Sequence, residues 1–247
     1  LNFERQTMHS YQPPLEDFNF ILHDFLKIEK EDIKGYNELL PEFTKTIFEE
    51  AGKLASEVIS PSNRDGDEQG CKLENGIVRT PDSFKFAFDK LREGGWLSLD
   101  IEEEFGGQNL PLILSTVTNE MFTSANMSLT MYSGLSRGAY SAIFLHGSEE
   151  QKQLYLPKLA SCEWTGTMNL TEPHCGTDLG LIKTKATPNR NGSYEVSGQK
   201  IFISSGDHDL SKNIIHLVLA KTPDALEGVK GISLFVVPKF LVHEDGS

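Results

Sequence analysis

The chain is poor in cysteine, in cationic charge and in long apolar runs, and each shortage closes a class of function. Its 247 residues include 3 cysteines. Cys71, Cys162 and Cys175 are odd in number and widely spaced, which suggests neither a disulfide framework nor a thiolate metal set. The expectation is a reducing, cytoplasmic setting and no metal. Lys and Arg number 23 against 36 Asp and Glu, a formal net charge of −13. That balance disfavours nucleic-acid binding, which depends on clustered cations neutralising phosphates. No stretch approaches the ~20 uninterrupted apolar residues of a membrane-spanning helix, and the first residues lack the charged-then-apolar plan of a signal peptide. The chain opens on Leu1 rather than Met, which allows a processed or excised start. Repeats and low-complexity segments are missing too. What the sequence does have is a hydrophobic content of 38%, enough for a sizeable core in one large or two ordinary domains.

Periodicity divides the chain. Apolar residues at Leu15, Phe18, Ile21, Leu22, Phe25 and Leu26 fall at helical spacing and predict an amphipathic helix over 15–26. A second helix is expected over 39–59, closed by Pro61, and a third opens at Thr80-Pro81 and runs to Gly94-Gly95 with Phe84, Phe88 and Leu91 on its buried face. After the turn at Glu104-Phe105-Gly106-Gly107, residues 110–122 and 139–145 continue the helical pattern. Ser148 with Gln151 three residues later is a capping-box signature for a helix ending near Ala160. Beyond Trp164 the signal changes to short strands at 165–170, 194–196, 200–204, 214–220 and 232–237. The apolar runs in the last two suit central rather than edge strands. His216, inside the first of those two runs, reads as a hydrogen-bonded core histidine.

Two segments of the second half carry chemistry. The step Cys175-Gly176-Thr177-Asp178 puts a residue without a Cβ among short side chains. Backbone N–H groups there can approach an anionic or carbonyl-rich ligand, although the same residues also favour an ordinary turn. In Gly198-Gln199-Lys200-Ile201-Phe202-Ile203-Ser204, strand alternation places Ile201 and Ile203 on one face and Phe202 and Ser204 on the other. The second face offers a flat aromatic beside a hydroxyl, which suits an isoalloxazine ring, although the segment alone better suits a buried Phe with a solvated Ser.

Taken in order, Leu170-Thr171-Glu172-Pro173-His174-Cys175-Gly176-Thr177-Asp178 and the later Gly198 to Ser204 segment resemble the acyl-CoA dehydrogenase family, whose middle domain carries L-T-E-P-x-A-G-S-D and then G-x-K-x-W-I-T. His146 to Lys152 and Tyr155 to Ser161 look like that family's approach to the motif. The segments Tyr11 to Asp17, Gly206 to Leu210 and Asn213 to Ala220 are similar to its large bacterial members. The resemblance implies an α+β fold, with an N-terminal all-α helical domain over 1–160 and an antiparallel β domain over 161–247 that is incomplete at its C-terminal end.

It also implies FAD as cofactor and α,β-dehydrogenation of an acyl-CoA thioester. Thr171, Phe202 and Ser204 take the family's flavin-contacting positions, with Ile203 between the last two. Met168, Asn169 and Leu170 form the approach to the motif. Gly176 and Thr177 match its G-S step, and Thr177 is also placed to touch the acyl-CoA. Phe stands for the usual Trp, Ser for Thr, Cys175 for Ala, and Cys162 where a helix-ending Gly is common. The family's catalytic carboxylate belongs to a C-terminal helical domain, so no residue of this chain is assigned as the base, and Glu172 is read as structural. Coenzyme A is polyanionic, and Arg137, Lys183, Lys185 and Arg190 are candidates for it by charge alone. The implied partners are an electron-transfer flavoprotein or similar acceptor and further copies of the chain. A binding or DNA-protective family member is the alternative, and the acidic balance speaks against it.

Overall fold

The computed structural model describes residues 11–243; residues 1–10 and 244–247, the outer ends of the two expected domains, lie outside it. By packing, the chain divides into two compact units, Leu1–Thr130 and Met131–Ser247. The class is the expected one, helices followed by a sheet. Among the described residues no helix is long and apolar enough to cross a membrane.

In the first unit, α1 (Leu15–Asn19) runs into a π-helical segment, Phe20–Phe25, in which the Leu26 N–H reaches back to Ile21 O. The extra residue per turn rotates the later side chains off the predicted face. Phe18 and Leu22 are buried, but Ile21, Phe25 and Leu26 are exposed. The second expected helix is longer than the sequence suggests: α2 (Pro41–Leu54) continues through a π segment, Ala55–Ile59, into α3 (Ser60–Gln69). Pro61 does not stop it. The preceding turn is already widened, with Ser60 N–H bonded to Ala55 O, and a wide turn relieves the clash a proline makes with the carbonyl four residues back.

A hairpin of β1 (Lys72–Glu74) and β2 (Ile77–Arg79) follows. It turns at Asn75 and Gly76, with φ of 52° and 77°. Then comes α4 (Asp82–Glu93), with Phe84, Phe88 and Leu91 buried as its spacing predicts. Phe122 and Met121 of α5 (Leu112–Ala125) are also buried. Asn126 then serves two elements: its Nδ2 donates to Ser62 Oγ at 2.8 Å and its Oδ1 caps the Leu129 N–H at 3.1 Å.

The helix α6 (Met127–His146) begins within the first unit and continues into the second, where it leads to α7 (Glu149–Ala160), and the capping box between Ser148 and Gln151 is formed in both directions. Cys162 sits just past that helix with φ of 50°, the left-handed position a glycine usually fills. The sheet contains β3 (Trp164–Asn169), β4 (Lys185–Pro188), β5 (Tyr194–Ser197), β6 (Asn213–Lys221) and β7 (Ile232–Pro238). Its order is β3-β6-β4-β5, with β7 on β6.

Three expectations change here. The sheet is mixed rather than wholly antiparallel: β6 runs parallel to β3 and β4 and antiparallel to β7. The long connection from β3 to β6 supplies the crossover that parallel neighbours require. β7 pairs with one strand among the described residues, so it is an edge there, while β6 is central and mostly buried. Residues 200–204 form no strand. Within this unit α6 lies against β3 at Gly166. Its N–H donates to Ser136 Oγ at 3.0 Å, and a Cβ built there would stand 2.3 Å from the Ala139 Cβ.

Candidate functional site

The end of β3 and the turn after it bring the motif together. On the strand, Met168 is exposed and Asn169 half-buried. Leu170 and Thr171 then leave the sheet, and the chain folds tightly through Pro173 and His174. Glu172 N–H donates to Cys175 O at 2.8 Å, and Cys175 N–H returns the bond to Glu172 O at 3.1 Å. Gly176 follows at once. A Cβ there would lie 3.3 Å from the Thr171 Cγ2, closer than a neighbouring side chain comfortably allows. The N–H groups of Gly176 and Thr177 take no part in the backbone bonds of this turn, and Thr177 is exposed. The Asp178 carboxylate accepts the Gly180 N–H at 3.1 Å and closes the loop.

The second segment lies alongside. Ile201 N–H donates to Thr171 O at 3.0 Å, and Lys200 Nζ donates to Leu170 O at 3.0 Å. The exposure of Ile201 to Ser204 alternates as a strand's would, with Phe202 and Ser204 exposed and both isoleucines half-buried. Phe202 and Ser204 are alike in exposure, but the left-handed backbone at Phe202 breaks the strand geometry on which their expected shared face rested. Phe202 has φ of 56° and is 86% exposed. A left-handed conformation costs a non-glycine residue about 1–2 kcal/mol, and an exposed ring recovers none of that through burial.

Glu172 is the electrostatic centre of the turn. Its Oε1 accepts the Thr184 N–H at 3.0 Å, the Thr184 hydroxyl at 2.5 Å and Lys200 Nζ at 2.9 Å, while Oε2 accepts the Lys183 N–H at 2.7 Å. Burial alone would raise its pKa. The Thr184 hydroxyl, the Lys183 N–H, the Lys200 ammonium and the Thr184 N–H overcome that effect and hold it at about 2. Glu172, His174 and Cys175 bring ligand-type atoms within 4.8 Å of one another. The carboxylate is nevertheless committed to these donors, one of them a cation, and the His174 Nε2–H is given to Leu181 O at 2.9 Å.

Two histidines meet threonines of β3: His208, which the sequence reading did not single out, and His216, expected as a hydrogen-bonded core histidine, which is hydrogen-bonded but half-buried. His208 is buried, and its Nδ1 accepts the Leu210 N–H at 3.1 Å, so the neutral ring's proton sits on Nε2. It donates to Thr165 Oγ1 at 3.0 Å, Thr165 meets Ser211 Oγ at 2.9 Å, and Ser211 donates to Asn213 O at 2.8 Å. Burial lowers the His208 pKa to about 4. His216 Nδ1 lies 2.7 Å from Thr167 Oγ1, which donates to Asn169 Oδ1 at 2.6 Å. Thr167 has one proton to give, so the imidazole is the donor in the first bond. Burial lowers the His216 pKa as well.

The charge candidates do not converge. Lys183 and Lys185 line an open cavity of about 900 Å³ with Lys221, Thr184 and Thr187. Arg137 instead packs its guanidinium over the Tyr140 ring, at 5.1 Å, and Arg190 is exposed in the turn between β4 and β5.

Comparison with known proteins gives the chain's family. Residues 41–163 match the acyl-CoA dehydrogenase N-terminal domain, and residues 167–244 match the acyl-CoA dehydrogenase middle domain. The 3-methylmercaptopropionyl-CoA dehydrogenase of Ruegeria pomeroyi is 44% identical over 238 residues, which is 96% of this chain and 40% of that protein. A butyryl-CoA dehydrogenase of Syntrophomonas wolfei subsp. wolfei is 39% identical over 249 residues, again 96% of this chain and 40% of the relative. The chain therefore spans about 40% of the length of these curated relatives. Among solved structures, the acyl-CoA dehydrogenase complexed with FAD from Bacillus anthracis superposes with a TM-score of 0.65 at 28% identity, over 82% of this chain and 32% of that one.

Proposed function

Because the chain belongs to the acyl-CoA dehydrogenase family, we propose that it contributes the flavin-binding half of an FAD-dependent acyl-CoA dehydrogenase. The observation that carries this reading is Phe202, an aromatic ring left 86% exposed on a left-handed backbone and tied through Ile201 to Thr171. Strain kept at a surface position that gains nothing in the fold points to a ligand. FAD fits the residues around it. Phe202 and the exposed Met168 offer apolar area for the ring, the Thr171 and Ser204 hydroxyls offer hydrogen bonds to its polar edge, and the Gly176 and Thr177 N–H groups offer donors to anionic oxygens. Asn169, Leu170 and Ile203 complete the proposed contact set, and Thr177 is proposed to touch the acyl-CoA as well. When bound, FAD supplies the hydride acceptor.

On this reading the chain's own residues bind and orient the flavin, and none of them removes the substrate's α proton. Electrons leave to an electron-transfer flavoprotein or a similar acceptor, and the working form is a homo-oligomer. The test is direct. At least one member of a panel of short, branched, long and sulfur-containing acyl-CoAs is expected to bleach the flavin of the full-length gene product. If none does, the dehydrogenase reading fails. The acyl group is left open, since a methylene more or less shifts discrimination by only ~1–3 kcal/mol.

The contact set has its own check. Phe202→Ala removes an exposed ring, so unfolding stability should stay within about 0.5 kcal/mol, while FAD affinity falls at least tenfold. Ile203→Val trims one methylene from the half-buried side and should leave affinity within about threefold. Equal flavin content in the two purified variants would remove Phe202 from the site.

A further inference from the structure

The two proposed flavin-contacting segments lie far apart in sequence, and the second has no strand of its own to hold it. Three bonds join them: Lys200 Nζ to Leu170 O at 3.0 Å, Lys200 Nζ to Glu172 Oε1 at 2.9 Å, and Ile201 N–H to Thr171 O at 3.0 Å. Both ion-pair partners are secluded, with side-chain exposures of 9% for Lys200 and 2% for Glu172. Glu172 is anchored in turn to the Thr184 N–H and hydroxyl and to the Lys183 N–H, just ahead of β4. The ammonium thus cross-links both segments to the sheet.

We propose that Lys200 and Glu172 are positioning residues for the flavin, a buried charged strut that fixes the separation of Thr171 from Phe202. The inference rests on the FAD reading above and adds a role to two residues outside its contact set. Burying an ion pair seldom gains stability over apolar side chains of the same volume, so stability alone is a weak reason for this pair. Geometry is a stronger one. An ammonium has three directed protons, and here it ties a carbonyl and a carboxylate of one segment to the backbone that leads into Phe202. An apolar pair would fill the same space without setting that register. The strained backbone at Phe202 follows immediately after the anchored Ile201 N–H, so the conformation that presents the ring is held from the strut.

The test separates positioning from packing. Three variants of the full-length gene product, Lys200→Met, Glu172→Gln and the double Glu172→Gln/Lys200→Met, are compared with wild type in thermal unfolding of the apoprotein, in FAD dissociation constant, and in amide exchange across residues 200–204. Lys200→Met leaves a buried carboxylate short of its counter-charge, so it should lower both stability and FAD affinity, the latter at least tenfold, and speed exchange at Ile201 at least tenfold. The double variant leaves no unpaired charge but sets an amide nitrogen against the Lys183 or Thr184 donors, so it should regain part of the stability lost in Lys200→Met. FAD affinity in the double variant should stay at least tenfold down and exchange at Ile201 fast, because the cross-link is gone. Recovery of stability, affinity and protection together would overturn the strut and leave an ordinary ion pair. Wild-type protein that takes up no FAD would instead sink the reading on which the strut rests.

Discussion

Acidification from pH 7 to pH 4 is expected to cost the protein roughly 3 kcal/mol of stability through His208 alone. Burial is the chief cause of its lowered pKa; Lys239 and His216 add to it, while Asp207 and Asp209 oppose it. The ring sits edge-on to Tyr132, with centroids 4.9 Å apart, and both of its nitrogens are engaged as one donor and one acceptor. Protonating Nδ1 would set a new proton against the Leu210 N–H that it now accepts. The folded pKa of about 4 lies below the ordinary value of 6.5, so the stabilising contribution is complete above 6.5 and is lost as the pH falls through 4. Urea unfolding at pH 7, 5.5 and 4 measures the slope. His208→Gln should be less stable at pH 7 by about 1–3 kcal/mol, for the lost hydrogen bonds, yet flatter between 6.5 and 4 by roughly one proton. A variant that kept the full slope would assign acid sensitivity to another group. Glu172 acts in a lower window. Its contribution is present above its ordinary value of 4.5 and disappears only as the pH falls toward about 2.

Local signals in the sequence were dependable where the local partner decided the structure. The Ser148 and Gln151 capping box forms between residues three apart, and the buried face of α4 follows from spacing alone. The β1–β2 hairpin was overlooked although Asn75-Gly76, the strongest short-range hairpin signal, stands between its strands. Pro61 misled because a widened turn four residues earlier decides whether the helix survives it, and nothing at Pro61 itself reports that turn. The failure at residues 200–204 has a different origin. Alternating exposure fits a strand, but a strand also needs a ladder, and here the backbone is held by Thr171 and by the Lys200 side chain instead. The motif letters located the turn and the aromatic. They could not show that Glu172 reaches Thr184 and Lys200, or that His208 reaches Thr165, since those pairs are set by tertiary packing.

The 247-residue chain by itself is expected to turn over no acyl-CoA and to hold FAD weakly or not at all. A base for the α proton must sit within hydrogen-bonding reach of it and have a pKa near the working pH. Glu172, the buried carboxylate of the motif, fails the second condition with a pKa of about 2, and its lone pairs are already taken by the Thr184 hydroxyl and three N–H donors. Family resemblance puts the base in a C-terminal helical domain, and this chain matches about 40% of the length of its curated relatives. Losing general base catalysis costs typically ~10²- to 10⁴-fold in rate before any loss of positioning. An exposed Phe202 without a covering surface should also retain flavin poorly, since one face of the ring would meet water. Flavin absorbance per chain and the rate of acyl-CoA-dependent dye reduction, measured on the 247-residue chain beside the full-length gene product, check both halves. Stoichiometric FAD with comparable turnover would refute them and turn attention to the chain's own carboxylates. Glu172→Gln would then be the decisive variant: a fall in turnover with FAD still bound would make Glu172 the base, and a fall in turnover that only tracks loss of FAD would return it to the clamp its hydrogen bonds describe.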